Sequence, residues 1–219
     1  MKLNTNSNIY TFVYMTVVVI IVAVLLALAN QSLKPRQEAN ILLDKQKQIL
    51  GALKVDYTNA DPAEVYYTLV NDTLKYGEQE VYVANLNGAT KYILPLSGKG
   101  LWGGIGGYLA LDEDKNTIYG VNFNHESETP GLGAKIVEPE FRSQFEGKHI
   151  RNAEGAVVSV AVLKAGKHAE GQEQVDAISG ATITSSGVST MLEVNLGEYA
   201  EFLNELNEGK EEDHVESED

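Results

Sequence analysis

The sequence predicts an α+β fold: a mainly antiparallel sheet with flanking helices, plus one N-terminal transmembrane helix. Three observations carry that expectation. Ile9 to Ala29 contains no charged residue. From Tyr76 onward, apolar and aromatic runs of strand length alternate with hairpin and turn signals. The stretch "TSSGVSTMLEVNLGEYAEFLNEL" then returns to helical spacing, through Val188, Met191, Leu192, Leu196, Tyr199, Phe202 and Leu203.

Taken in order, residues 1–8 form an N-terminal tail and residues 9–29 the anchor. A helix of about 21 residues rises roughly 31 Å, close to the thickness of bilayer hydrocarbon. Tyr10 and Tyr14 lie near one end, where interfacial aromatics are expected. "ALA" at 27–29 also fits a signal-peptide cleavage pattern. The apolar stretch, however, is longer than the usual signal-peptide core of about 7–15 residues, which favours an uncleaved anchor. Residues 30–70 read as a helical connector, with a helix after Pro35 carrying Ile41, Leu42, Leu43, Ile49, Leu50 and Leu53, then a polar break and a second short helix.

The domain proper is expected over 71–207. "QEVYVANL" and "TKYILPL" flank Asn87-Gly88, a hairpin signal. "GGIGGYLALD" and "NTIYGVNFNHE" are joined by the turn-forming "DEDKN"; "EPEFRSQFEGK" predicts a short helix from Pro139, and "GAVVSVAVLKAG" another strand. Residues 208–219, seven acids against one lysine, form an acidic tail expected to be disordered.

Composition narrows the function. The net charge of −14 disfavours nucleic acid, whose binding relies on Lys and Arg against phosphates. With no cysteine, thiolate metal sites and iron–sulfur clusters are excluded, so any redox centre is organic or held by His and carboxylates. The histidines, at 125, 149, 168 and 214, lack the close pairing of a helical metal site, and no metal is expected. Neither a Walker loop nor a Gly-x-Ser-x-Gly nucleophile elbow is present, which disfavours P-loop and serine-hydrolase chemistry.

Three clusters of small residues stand out. "SGKGLWGGIGGYLALD" sets the single tryptophan, Trp102, among glycines; it reads either as a pocket wall for a planar ring or as a bulged strand with a core tryptophan. "HESETPGLGAKI" follows a strand, and its small residues leave room for a ligand against the backbone and Leu132. "DAISGATITSSGV" packs five hydroxyls ahead of a helix, where free N–H groups favour a phosphate. Ser185 or Ser186 capping that helix explains part of it without a ligand.

Asp176-Ala177-Ile178-Ser179-Gly180-Ala181-Thr182 resembles the flavinylation motif Asp-x-x-(Ser/Thr)-Gly-Ala-Thr, in which a flavin transferase couples FMN through its phosphate to the last threonine. "GKGLWG" and "ETPGLG", with the single anchor and acidic character, resemble the family of C subunits of the sodium-translocating NADH:quinone oxidoreductase. The resemblance runs from the anchor to the last helix. It implies covalent FMN on Thr182, with Ser179, Gly180, Ala181, Thr184 and Ser185 around the phosphate. It further implies Trp102 and Leu132 lining the ring, Glu128 and Thr129 near its polar edge, and Asp176 serving transferase recognition or loop stability.

The same resemblance implies an electron-transfer component among the other subunits of a membrane redox complex, with its soluble domain on the periplasmic side of a bacterial inner membrane. The charge pattern points the other way: Lys34, Arg36, Lys45 and Lys47 follow the span and only Lys2 precedes it. The G subunit of the Rnf-type complex shares the anchor and flavin motif; the extended "HESETPGLG" loop favours the quinone-reductase member. A membrane-anchored binding domain without cofactor is the reading from another class.

Overall fold

The computed structural model describes residues 7–77, 79–164 and 166–207. The expected acidic tail, and residues 1–6 of the N-terminal tail, lie outside them. The chain divides into two units, one ending at Lys45 and the other starting at Gln46.

The first unit is helical, the leading part of α1 (Asn8–Ala52). Its apolar side chains from Ile9 to Leu28 are exposed, and the helix is long and apolar enough to cross a membrane. The connector helix expected after Pro35 is not separate, because α1 runs through Pro35 without a break. An internal proline removes one i→i−4 hydrogen bond. Pro35 lies beyond the uncharged stretch, where water can solvate the carbonyl left over.

The second unit opens with the last turns of α1, followed by α2 (Pro62–Leu69). Asp61 starts α2 by accepting the Ala63 N–H at 2.9 Å, and Pro62 occupies the first turn, where its missing N–H costs nothing. Five antiparallel strands follow in simple meander order: β1 (Val70–Tyr76), β2 (Gln79–Leu86), β3 (Ala89–Lys99), β4 (Gly104–Leu111) and β5 (Ile118–His125). The β2–β3 turn has φ of 53° at Asn87 and 85° at Gly88, the paired positive values of a type I′ hairpin turn.

Both faces of the sheet centre are covered. On one, Ile49, Leu50, Leu53 and Tyr66 pack with Tyr82, Ala84, Ile93 and Ala110. On the other, Leu94, Leu96, Ile105, Leu109 and Phe123 meet Val188, Met191, Leu192 and Leu196 of α4 (Thr182–Glu198). Double coverage is why "YILPL" reads as an unbroken apolar run: Tyr92 to Leu94 are all buried. Asn195 ties α4 to β3 as a peptide group would, its Oδ1 accepting the Ser97 N–H at 2.9 Å and its Nδ2 donating to the Ser97 carbonyl at 3.0 Å.

Between sheet and α4 the chain is irregular. A 3-10 turn over Gly133–Val137 leads into α3 (Pro139–Arg142) and a second turn at Ser143–Phe145. The strand expected in "GAVVSVAVLKAG" shrinks to β6 (Ala161–Val162), paired in parallel with β7 (Gln174–Val175). Ser159, at φ 85°, takes the backbone out of extended conformation just before β6, which explains the shortening. The single C-terminal helix expected from the spacing is interrupted at Tyr199 before α5 (Ala200–Asn207).

Candidate functional site

The Asn195–Ser97 bridge and the buried face of α4 bring the start of that helix against the end of β3. α4 begins earlier than the cap expected at Ser185 or Ser186: Thr182 is its first residue and Ala181 its N-cap. The first intrahelical bond runs from the Ser185 N–H to the Ala181 carbonyl, 2.9 Å. No side chain caps this end, so its first-turn N–H groups keep the positive end of the helix dipole open to an acceptor. Gly180 leads in at φ 76°, a conformation that suits glycine.

The five hydroxyls of the segment have different fates. Thr184 and Ser185 are each 1 % exposed. The Thr184 hydroxyl donates to Oε2 of Glu128 at 2.6 Å, and the Ser185 hydroxyl accepts the Ile178 N–H at 3.1 Å. Thr182, Ser179 and Ser186 are exposed. Thr182 alone of these lines two clefts. One, of about 220 Å³, is bounded by Leu101, Glu128, Thr129, Leu132, Gly133 and residues 180–184. The other, of about 610 Å³, runs along α4 past Lys99, Ile183, Met191 and Val194.

The sequence suggests Glu128 at the polar edge of a ligand; in the structure it is buried in the wall of the smaller cleft. It is 4 % exposed, and its Oε1 accepts the Trp102 N–H at 3.0 Å. Burial pushes its pKa up, but hydrogen bonds from the Thr184 hydroxyl and the N–H groups of Trp102 and Leu101, with His125 nearby, outweigh that. The carboxyl is held below its ordinary value. Two glycines make its seat: a Cβ at Gly100 would stand 2.4 Å from Oε1, and one at Gly133 2.2 Å from Oε2.

The remaining candidates sort by position. Thr129 is exposed and its carbonyl accepts the Leu132 and Ala134 N–H groups, turning the loop so that Leu132, 42 % exposed, lines the smaller cleft. Trp102 is 66 % exposed, which removes the reading of a core tryptophan, although its ring lines neither cleft. Ser179 faces a separate hollow with Phe141 and Gln144. The Asp176 carboxylate accepts the Ala169 N–H at 2.6 Å and lies 3.3 Å from Nδ1 of His168, and its own N–H donates to Gln144 at 2.8 Å. Those contacts, the Ala169 bond first, hold its pKa low.

Leu101, Ile183 and Lys99 were not anticipated. Ile183 carried a readable signal, being the one bulky apolar side chain between Thr182 and Thr184 and left 58 % exposed by the fold. Lys99 and Leu101 lie within "GKGLWG", where only Trp102 is singled out.

An open helix start, an exposed threonine at its first residue and flanking clefts of apolar and hydroxyl character suit a phosphate-bearing ligand with a flat ring. The clefts and donors fit FMN. The FMN-binding domain family model matches residues 100–196, which include β4, β5 and α4 up to Leu196. Among known proteins, the chain is 29 % identical to the C subunit of the Na(+)-translocating NADH-quinone reductase of Pseudomonas aeruginosa, over 94 % of this chain and 99 % of that one. It is 27 % identical to the same subunit of Vibrio alginolyticus, over 85 % and 90 %. The crystal structure of the subunit from Parabacteroides distasonis superposes with a TM-score of 0.73 at 41 % identity, covering 78 % of this chain and 96 % of that one. NqrC of Shewanella oneidensis, 24 % identical with a TM-score of 0.63, shares the fold.

Residues 100–196, which carry β4, β5 and most of α4, thus match the FMN-binding domain class. The chain belongs to the family of C subunits of the Na⁺-translocating NADH-quinone reductase.

Proposed function

We propose that this chain is the electron-transfer C subunit of a Na⁺-translocating NADH-quinone reductase, with FMN joined through a phosphoester to the Thr182 hydroxyl. The observation that carries the attachment point is the division of labour among the hydroxyls. Thr184 and Ser185 are buried and engaged, whereas Thr182 is exposed at an uncapped helix start between two clefts.

FMN, when bound, supplies the one-electron redox chemistry. The chain supplies the rest. Thr182 makes the attachment permanent. The first-turn N–H groups of α4 face the remaining phosphate charge, with Ser179, Gly180 and Ala181 shaping the approach. Leu132, Leu101 and Ile183 offer apolar surface to the ring, with Trp102 and Thr129 at its margin. Asp176, tied to Ala169, His168 and Gln144, holds the motif loop in the form that a flavin transferase reads. The hydroxyl is accessible in the folded domain, so folding does not block attachment.

The uncharged stretch 9–29 anchors the chain, residues 30–70 connect it, and the flavin domain, 71–207, stands on the periplasmic side among the other subunits of the complex. Intact mass of the membrane-extracted protein from its native host tests the reading. An increment of FMN minus water, absent in Thr182→Ala, is expected. An increment that persists in Thr182→Ala moves the attachment elsewhere, and its absence from the parent removes the covalent flavin.

A further inference from the structure

Phosphate binding at the helix start leaves the carboxylate of Glu128 without a part. It joins three segments far apart in sequence. Its Oε1 holds the Trp102 N–H of the turn after β3, its Oε2 holds the Thr184 hydroxyl of α4, and its own N–H donates to Nδ1 of His125 at 3.3 Å. The first two of these partners are neutral donors. Among the described residues no lysine or arginine pairs with Glu128. A full negative charge therefore sits almost dry in the wall of the cleft that Thr182 also lines. Near a protein surface the effective dielectric is well below that of bulk water, so such a charge still acts over several ångströms.

We propose that Glu128 is the positioning residue of the flavin site: it clamps the Leu101–Trp102 turn to the first turn of α4 so that Thr182 is presented between the two clefts, and its unpaired charge lowers the reduction potential of the flavin held there. The proposal rests on attachment at Thr182. The two limbs separate by mutation. Glu128→Gln keeps the shape and removes the charge. Thr184→Val keeps the charge and removes one arm of the clamp.

The test uses the full chain extracted from its native host, with three readouts. Intact mass gives flavin occupancy. Spectroelectrochemical titration gives the midpoint potential. Emission of Trp102, the single tryptophan, reports the turn in a flavin-free Thr182→Ala background. In Glu128→Gln the midpoint moves positive, so that at fixed ambient potential the reduced-to-oxidised ratio rises several-fold, tenfold being about 59 mV for one electron. In Thr184→Val the midpoint does not rise, but occupancy falls several-fold and Trp102 emission changes.

An unchanged midpoint in flavin-loaded Glu128→Gln overturns the electrostatic limb. Parent-like occupancy and emission in Thr184→Val overturn the clamp, and that arm decides alone if Glu128→Gln does not fold. A parent chain without the flavin increment fails the attachment reading instead, and is seen in the mass before either variant is made.

Discussion

Replacing Gly133 by alanine probes the seat of Glu128 directly. The new Cβ would stand 2.2 Å from Oε2 of Glu128 and 2.6 Å from Oγ1 of Thr184, well inside contact distance. The carboxylate has to move, and with it goes its hydrogen bond to Thr184. A hydrogen bond to a charged group is worth about 1.5–3 kcal/mol, and overpacking a tight site adds about 1–3 kcal/mol. With partial relaxation the expected loss is about 3 kcal/mol, or roughly 6–12 °C in Tm for a domain of this size.

Two residues away, Gly131 is the internal control. It has φ 74°, and nothing lies within 4 Å of the position a methyl group would take. Alanine there meets only left-handed backbone strain of about 1–2 kcal/mol. Thermal unfolding of the detergent-solubilised chain, followed by circular dichroism, compares the two. Repeating Gly133→Ala in a Glu128→Ala background closes a double-mutant cycle. The Gly133 penalty should shrink there, because the nearer of its two clash partners is gone and the Thr184 hydroxyl is freed to turn away. A penalty of the same size in both backgrounds would falsify the claim that Gly133 exists to admit the carboxylate.

Two further outcomes follow from the geometry. The folded-state pKa of Glu128 lies below its unfolded value, so its contribution to stability is present above the ordinary glutamate range, near pH 4.3, and is lost as pH falls through the depressed value. Denaturant unfolding between pH 7 and pH 3 should therefore show a steeper acid loss in the parent than in Glu128→Gln; parallel profiles would contradict it. Asn195→Ala removes both bonds to the Ser97 backbone and leaves its N–H and its carbonyl unpaired under α4. A loss of about 2–6 kcal/mol is expected, at about 1–3 kcal/mol for each of the two orphaned groups, and urea titration measures it. A loss below about 1 kcal/mol would mean that water replaces the amide.

Much of the fold was legible because its signals are local. An uncharged stretch of membrane length, Asn87-Gly88 between apolar runs, and Pro139 ahead of a short helix each act through a few neighbouring residues. The misreadings occurred where nearby context competes with distant packing. The spacing from Val188 to Leu203 reads as one helix, yet the structure interrupts it at Tyr199, whose side chain is buried in the core. "GAVVSVAVLKAG" looks like a strand, but Ser159 turns it aside.

The site divides in the same way. By itself the sequence determined which candidates stand out: the Asp176–Thr182 motif, the hydroxyls behind it and the two glycine-bearing loops, because residue type and spacing set what could be attached or cradled. Only the tertiary structure decided how those residues share the work. Thr182 and Thr184 are equivalent as letters two positions apart, and on a helix two positions apart means different faces. One hydroxyl therefore turns out to the clefts while the other is buried against Glu128. The Glu128 carboxylate joins the turn after β3 to α4 through contacts that span 26 and 56 residues of chain, a distance over which sequence spacing carries no signal.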